Sequence, residues 1–117
     1  NIHVHETFGQ VLAVYPDAEF YYASTKAPHS YVQVHYPKDV FLVFGRESRG
    51  LPENLLERVY DHCIRIPMVE GARSLNLSNS VAIVAYEALR QHDFEHLLDH
   101  GALTGREEEP GAWMDYL

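Results

Sequence analysis

The stretch Val40-Phe41-Leu42-Val43-Phe44-Gly45-Arg46-Glu47-Ser48-Arg49-Gly50-Leu51-Pro52 decides the fold. Residues 40–44 are wholly apolar, preceded by Pro37-Lys38-Asp39 and stopped by Gly45. A short, unbroken apolar run between turn signals predicts a strand buried on both faces of a parallel sheet. Residues 45–50 then read as a polar loop. Pro52 suits the first position of a helix running to about residue 60, because the N–H that proline lacks would be unsatisfied there anyway.

Working outward, Cys63 to Ile66, stopped by Pro67, predict another short strand. Residues 68–76 read as a loop leading into the longest helix, over about 77–92. On the N-terminal side, the aromatic segment 19–23 predicts a buried strand. Before it, residues 8–14 have the apolar spacing of a short helix, with Thr7 as its cap and Pro16-Asp17 as its stop. Residues 2–5 alternate and are expected as a short strand, and residues 24–30 read as a loop. Residues 31–36 fit either an edge strand or an extended connection. Strands alternating with helices in this order indicate an α/β domain with a mainly parallel sheet flanked by helices. Residues 1–100 are expected to form that domain, and 101–117, rich in Gly and Glu, a solvated C-terminal tail.

A chain of 117 residues suffices for one hydrophobic core. A 46% hydrophobic and 22% charged composition excludes a wholly disordered chain. No apolar run approaches the roughly 20 residues that cross a bilayer, and no signal-peptide pattern opens the chain. With a single cysteine, Cys63, these features point to a cytoplasmic setting. The net charge of −8 argues by itself against a nucleic-acid partner. Its placement softens that objection. Acidic residues crowd the end of the chain, whereas Arg46, Arg49, Arg65 and Arg73 lie in the central third.

Ligands of parallel sheets gather at the C-terminal ends of the strands. Three loops leave such ends, after Ala23, Phe44 and Ile66. Gly45 and Gly50 permit tight turns and close backbone approach to a ligand, although a plain structural turn would use them equally well. Leu51-Pro52 stands where a P-loop needs Lys and Ser or Thr, and neither a dinucleotide turn nor a nucleophile elbow is present. Asn76, Ser78 and Asn79 all suit a helix N-cap, which needs only one of them. The surplus points to ligand contact. Residues 81–86 are apolar on every helical face, so burial against a second copy is expected, giving a homodimer.

Taken together, Phe44-Gly45-Arg46-Glu47-Ser48-Arg49-Gly50-Leu51-Pro52 resembles the second motif, F-G-x-E-x-x-G-L-P, of the SpoU branch of the SPOUT methyltransferases. Ile64-Arg65-Ile66-Pro67-Met68 and Arg73-Ser74-Leu75-Asn76-Leu77-Ser78-Asn79-Ser80-Val81 resemble its third. Ser24-Thr25-Lys26-Ala27 and Tyr86-Glu87-Ala88-Leu89-Arg90-Gln91 most resemble the TrmL type, which methylates the ribose of the wobble nucleotide, cytidine or uridine, in certain leucine tRNAs. The resemblance runs from about residue 1 to 92.

It implies an α/β trefoil knot, S-adenosyl-L-methionine as cofactor, and tRNA as substrate for 2′-O-methylation. By motif position it implies cofactor contacts at Ala23, Gly45, Ile66 and Ser74, with Met68 and Leu75 beside them. Glu47 would organise the catalytic site, and Ser78 and Asn79 would orient the ribose or a catalytic arginine. Arg46, Arg49 and Arg73 are candidates for RNA phosphates. The family's first motif, N-x-x-x-x-x-R, has no counterpart in residues 1–22 and is expected to precede residue 1, so that this chain lacks it. Sister enzymes share these motifs and act on other tRNA positions or ribosomal RNA. A non-catalytic domain sensing a nucleoside-like ligand is the competing class.

No metal site is expected. His92, His96 and His100 would share one face of a continued helix, a zinc-like spacing that is more commonly a polar helix end. His3 and His5 near the terminus, and Cys63 at the start of a strand, read as structural.

Overall fold

The computed structural model describes residues 2–46, 49–72, 75–105, 111 and 113–114. In chain order, α1 (Phe8–Val14) precedes β1 (Phe20–Ala23), β2 (His29–Ser30) and β3 (Phe41–Val43). Then come α2 (Glu53–Arg58), a 3-10 turn at Tyr60–His62, β4 (Cys63–Arg65) and α3 (Leu77–Arg90). The four strands form one sheet in the order β2-β4-β1-β3, and every pairing is parallel.

Side chains alternate across the strands and divide the core into two layers. Tyr21 of β1 and Ile64 of β4 pack with Val84 and Ala88 of α3 and with Tyr36. On the opposite face Phe20, Tyr22 and Cys63 pack with Leu56 of α2, and Phe8 and Val11 of α1 close over them. The sheet is thus covered by α3 on one side and by α1 and α2 on the other. This is the architecture of the expected α/β class.

Several expectations are corrected. Residues 2–5 form no strand. Ile2 and Val4 are 93% and 89% exposed, without a neighbouring strand among the described residues to reward pairing. Strand β3 begins at Phe41, and its residues are half-buried, because among the described residues it lies at the sheet edge with β1 as its one partner. Residues 29 and 30, read as loop, form β2 against β4. Residues 31–36 are a turn and an irregular connection. Pro52 is the N-cap of α2, so the helix begins at Glu53, one position later than expected.

The end of α3 also differs from expectation. The helix stops at Arg90, and Asp93, Phe94 and His96 take positive φ angles. His92, His96 and His100 therefore do not share a helical face. His92 Nε2 instead donates to the Tyr36 carbonyl at 2.6 Å, and His100 pairs with Asp99. Among the described residues no group of three or more His, Cys, Asp or Glu side chains could hold a metal ion. No helix among the described residues is long and apolar enough to cross a membrane. Residues 101–105 carry no regular structure and are exposed.

Candidate functional site

The C-terminal ends of β1, β3 and β4 meet the start of α3 around a cavity of about 240 Å³. Parallel strands deliver the loops after Ala23, Val43 and Arg65 to one edge, and this is why the chemistry collects there. The volume lies just under the roughly 300–1,000 Å³ of small-molecule pockets, the scale of a nucleoside and not of a polymer.

Its walls come from four segments. Ala23 to Lys26 end and follow β1; Phe44, Gly45, Arg46, Arg49, Gly50 and Leu51 follow β3; Ile64, Arg65, Ile66 and Met68 end and follow β4; Leu75, Leu77, Ser80 and Val84 come from the approach to α3 and its buried side. Every charged residue among these is a cation: Lys26, Arg46, Arg49 and Arg65. The whole chain has 17 acidic against 9 basic residues, so the described lining carries the opposite sign to the chain's net charge, with Lys26 paired to Glu53.

Gly45 is required by space. A Cβ there would run into the backbone of Gly50 and come within 2.5 Å of the Leu51 nitrogen. Gly50 is required by conformation, with φ +68. Between them the loop closes on itself, as Gly50 N–H donates to the Arg46 carbonyl at 2.8 Å. The two glycines let the chain double back and leave backbone, not side chain, at the cavity wall.

Of the expected cofactor contacts, Ala23, Gly45, Ile66, Met68 and Leu75 all line this cavity. So do Arg46 and Arg49. Glu47, Arg73 and Ser74 lie outside the described residues. Ser78 and Asn79 stand on the exposed first turn of α3, apart from the residues lining the cavity. Their N–H groups are held by Asn76 Oδ1, at 2.8 and 3.4 Å.

Sequence reasoning left out Arg65 and Ser80 as lining residues. Arg65 lies within a strand and Ser80 within a helix, whereas ligand contacts are expected from loops. The order of strand ends could have flagged Arg65, since it closes β4 at the ligand-binding edge.

Away from the cavity, a polar cluster fixes α3 to the connection before β3. Gln91 donates to the Val34 carbonyl and accepts from Tyr36 N–H, both at 2.9 Å. Glu87, only 7% exposed, takes hydrogen bonds from Arg90 at 2.7 and 2.9 Å and from Gln91 at 2.9 Å. The Arg90 bonds hold its carboxyl below the ordinary range against the opposing effect of burial. Burial, followed by the nearby Glu87 charge, drives the Tyr36 phenol well above its usual value. Both groups therefore keep fixed charge states across the physiological range.

The SpoU rRNA Methylase family profile matches residues 1–86. A Listeria monocytogenes protein provisionally named tRNA (cytidine(34)-2′-O)-methyltransferase is 52% identical over 83 residues, covering 68% of this chain and 49% of the relative. The crystal structure of a Bacillus anthracis protein, provisionally named an RNA methyltransferase, superposes with a TM-score of 0.78 at 40% identity. That match covers 85% of this chain and 65% of the other. An AdoMet-bound rRNA methyltransferase from Sinorhizobium meliloti superposes with a TM-score of 0.62 at 28% identity, covering 79% of this chain and 34% of its own. The chain thus spans about half the length of the Listeria relative.

Proposed function

Because this chain belongs to the SpoU rRNA methylase family, we propose that it supplies the cofactor-holding part of an enzyme that methylates a tRNA ribose 2′-hydroxyl, with S-adenosyl-L-methionine as donor. The observation that carries the proposal is the cavity at the strand ends, with apolar and backbone walls and an all-cationic charged rim on an acidic chain. The name of the Listeria relative supports the wobble nucleotide, cytidine 34, as acceptor. Leucine tRNAs are the narrower choice within that class.

The residues present fit the cofactor. Ile66, Met68 and Leu75 offer apolar surface for a flat, uncharged ring, and the glycine-cleared backbone at Gly45 can approach its edge. When bound, the cofactor supplies a sulfonium methyl group open to displacement by an oxygen nucleophile. This chain's own work is alignment and charge. Arg46 and Arg49 draw RNA phosphates to the cavity mouth, and Arg73 is a further phosphate contact by motif position. Glu47 organises the catalytic site, and Ser78 and Asn79, on the exposed first turn of α3, orient the ribose or a catalytic arginine. Ser74 joins Ala23, Gly45, Ile66, Met68 and Leu75 in holding the cofactor.

The exposed apolar side of α3, with Val81, Tyr86 and Leu89, is covered by a second copy in a homodimer. The enzyme acts in the cytoplasm and uses no metal. Residues 1–100 form the methyltransferase domain, and 101–117 a tail.

Transfer of labelled methyl groups to tRNA transcripts tests this reading. In the enzyme that carries the first motif as well, RNA with ribose at nucleotide 34 is expected to be labelled, and the same RNA with 2′-deoxyribose there is not. Equal labelling of both rejects the acceptor. Cofactor binding without labelling of either favours a nucleoside-sensing domain.

A further inference from the structure

Strands β1 and β2 lie on opposite sides of β4, yet residues 24–28 join them directly. Ala23 and His29 both stand level with Ile64, so this segment straps across β4 and returns to the same height. Alternation along β4 puts Arg65 on the same face as Cys63, which packs against α2, and Ala27 of the strap packs into that layer.

A strap over a sheet face leaves carbonyls that no ladder can satisfy. Two side chains supply the donors. Arg65 Nη1 donates to the Thr25 carbonyl at 3.0 Å, and the Tyr60 hydroxyl donates to the Lys26 carbonyl at 3.2 Å. Within the strap, Ala27 N–H donates to the Ser24 carbonyl and Lys26 N–H to Ser24 Oγ. Lys26 also reaches Glu53 of α2 at 3.3 Å, an exposed pair of small energetic value. Thr25 and Arg65 line both the cavity described above and a second hollow beside Pro67 and Gly71, so their hydrogen bond lies in the wall the two spaces share.

The geometry points to Arg65 and Tyr60 as positioning residues that clamp the strap into the shape of a cofactor wall. Neither needs to touch the cofactor for this. Their hydrogen bonds set where Ser24 and Thr25 stand, and so act on cofactor affinity through the strap. This inference rests on the proposed binding of an S-adenosyl compound.

The test pairs two readouts on the whole chain, for Arg65→Met and for Tyr60→Phe, which removes one surface hydroxyl and leaves the packing. Amide hydrogen exchange at Lys26 and Ala27 reports the strap without any ligand, and calorimetric titration with S-adenosylhomocysteine reports the wall. Each variant is expected to exchange faster at those two amides. Each is also expected to bind S-adenosylhomocysteine roughly three- to tenfold more weakly, the range that follows from one lost hydrogen bond. Wild-type exchange at the strap overturns the clamp, and so does wild-type affinity alongside faster exchange. If Arg65→Met fails to fold, Tyr60→Phe decides alone. Failure of the wild-type chain to bind the probe counts against the proposed function, and the exchange readout still decides whether these side chains hold the strap.

Discussion

Gly45 and Glu87 show how single positions divide the work between site and scaffold. At Gly45, replacement by alanine drives a methyl group into the backbone of Gly50 and Leu51, which cannot yield as a flexible side chain would. Gly45→Ala is expected to cost about 1–3 kcal/mol of stability and to deform the cavity wall. A shift in the urea midpoint and loss of S-adenosylhomocysteine binding would register both effects.

Glu87 acts far from the cavity, where hydrogen bonds from Arg90 keep its carboxyl ionised below the ordinary range. Because the folded value is the lower one, this group stabilises the protein above the unfolded value of about 4.3. The contribution disappears as pH falls through the folded value. Wild type should therefore exceed Glu87→Gln in stability by about 1 kcal/mol from pH 7 to about 5, and the gap should close below about pH 4. Chemical denaturation across that range checks it; a gap independent of pH would place the effect in packing instead.

Among the elements, α3 depends on its first turn. Asn76 Oδ1 takes two of the N–H groups that the helix leaves unpaired, and no acidic residue in that turn offers an alternative. Asn76→Ala is expected to cost about 1 kcal/mol and a few degrees of thermal midpoint.

The elements also show what patterning can reveal. Strand β3 was legible because an apolar run between Pro37-Lys38-Asp39 and Gly45 has few other uses. Strand β2 was not, since His29 and Ser30 carry no periodicity and pair because the strap delivers them to β4. The alternation of residues 31–36 fits both an edge strand and a connection, and the chain takes the connection. That segment is held by Gln91 and His92, side chains from the far end of the chain, and no local pattern encodes such bonds. At the site, the loops were legible through their glycines and motif order. Arg65 and Ser80 were not, because their place on the cavity wall follows from tertiary packing.

For the whole molecule, charge and oligomerisation set the expectations. The free face of α3 carries Val81, Tyr86 at 60% exposure and Leu89. Tyr86→Glu is expected to shift the chain from dimer to monomer in sedimentation velocity, while far-ultraviolet circular dichroism stays unchanged; a wild-type monomer would reject the pairing.

The cationic rim bears directly on the ligand. S-adenosylmethionine carries one more positive charge than S-adenosylhomocysteine, so Lys26, Arg46, Arg49 and Arg65 should favour the latter in the absence of RNA. At low salt the difference should be on the order of 1 kcal/mol, about fivefold, and it should shrink as salt screens the rim. Calorimetric titration of the chain with both compounds tests the cofactor site most directly. Saturable binding of both at one site per chain, tighter for S-adenosylhomocysteine and abolished by Gly45→Ala, is the expected result. No heat with either ligand, or binding untouched by Gly45→Ala, would contradict it.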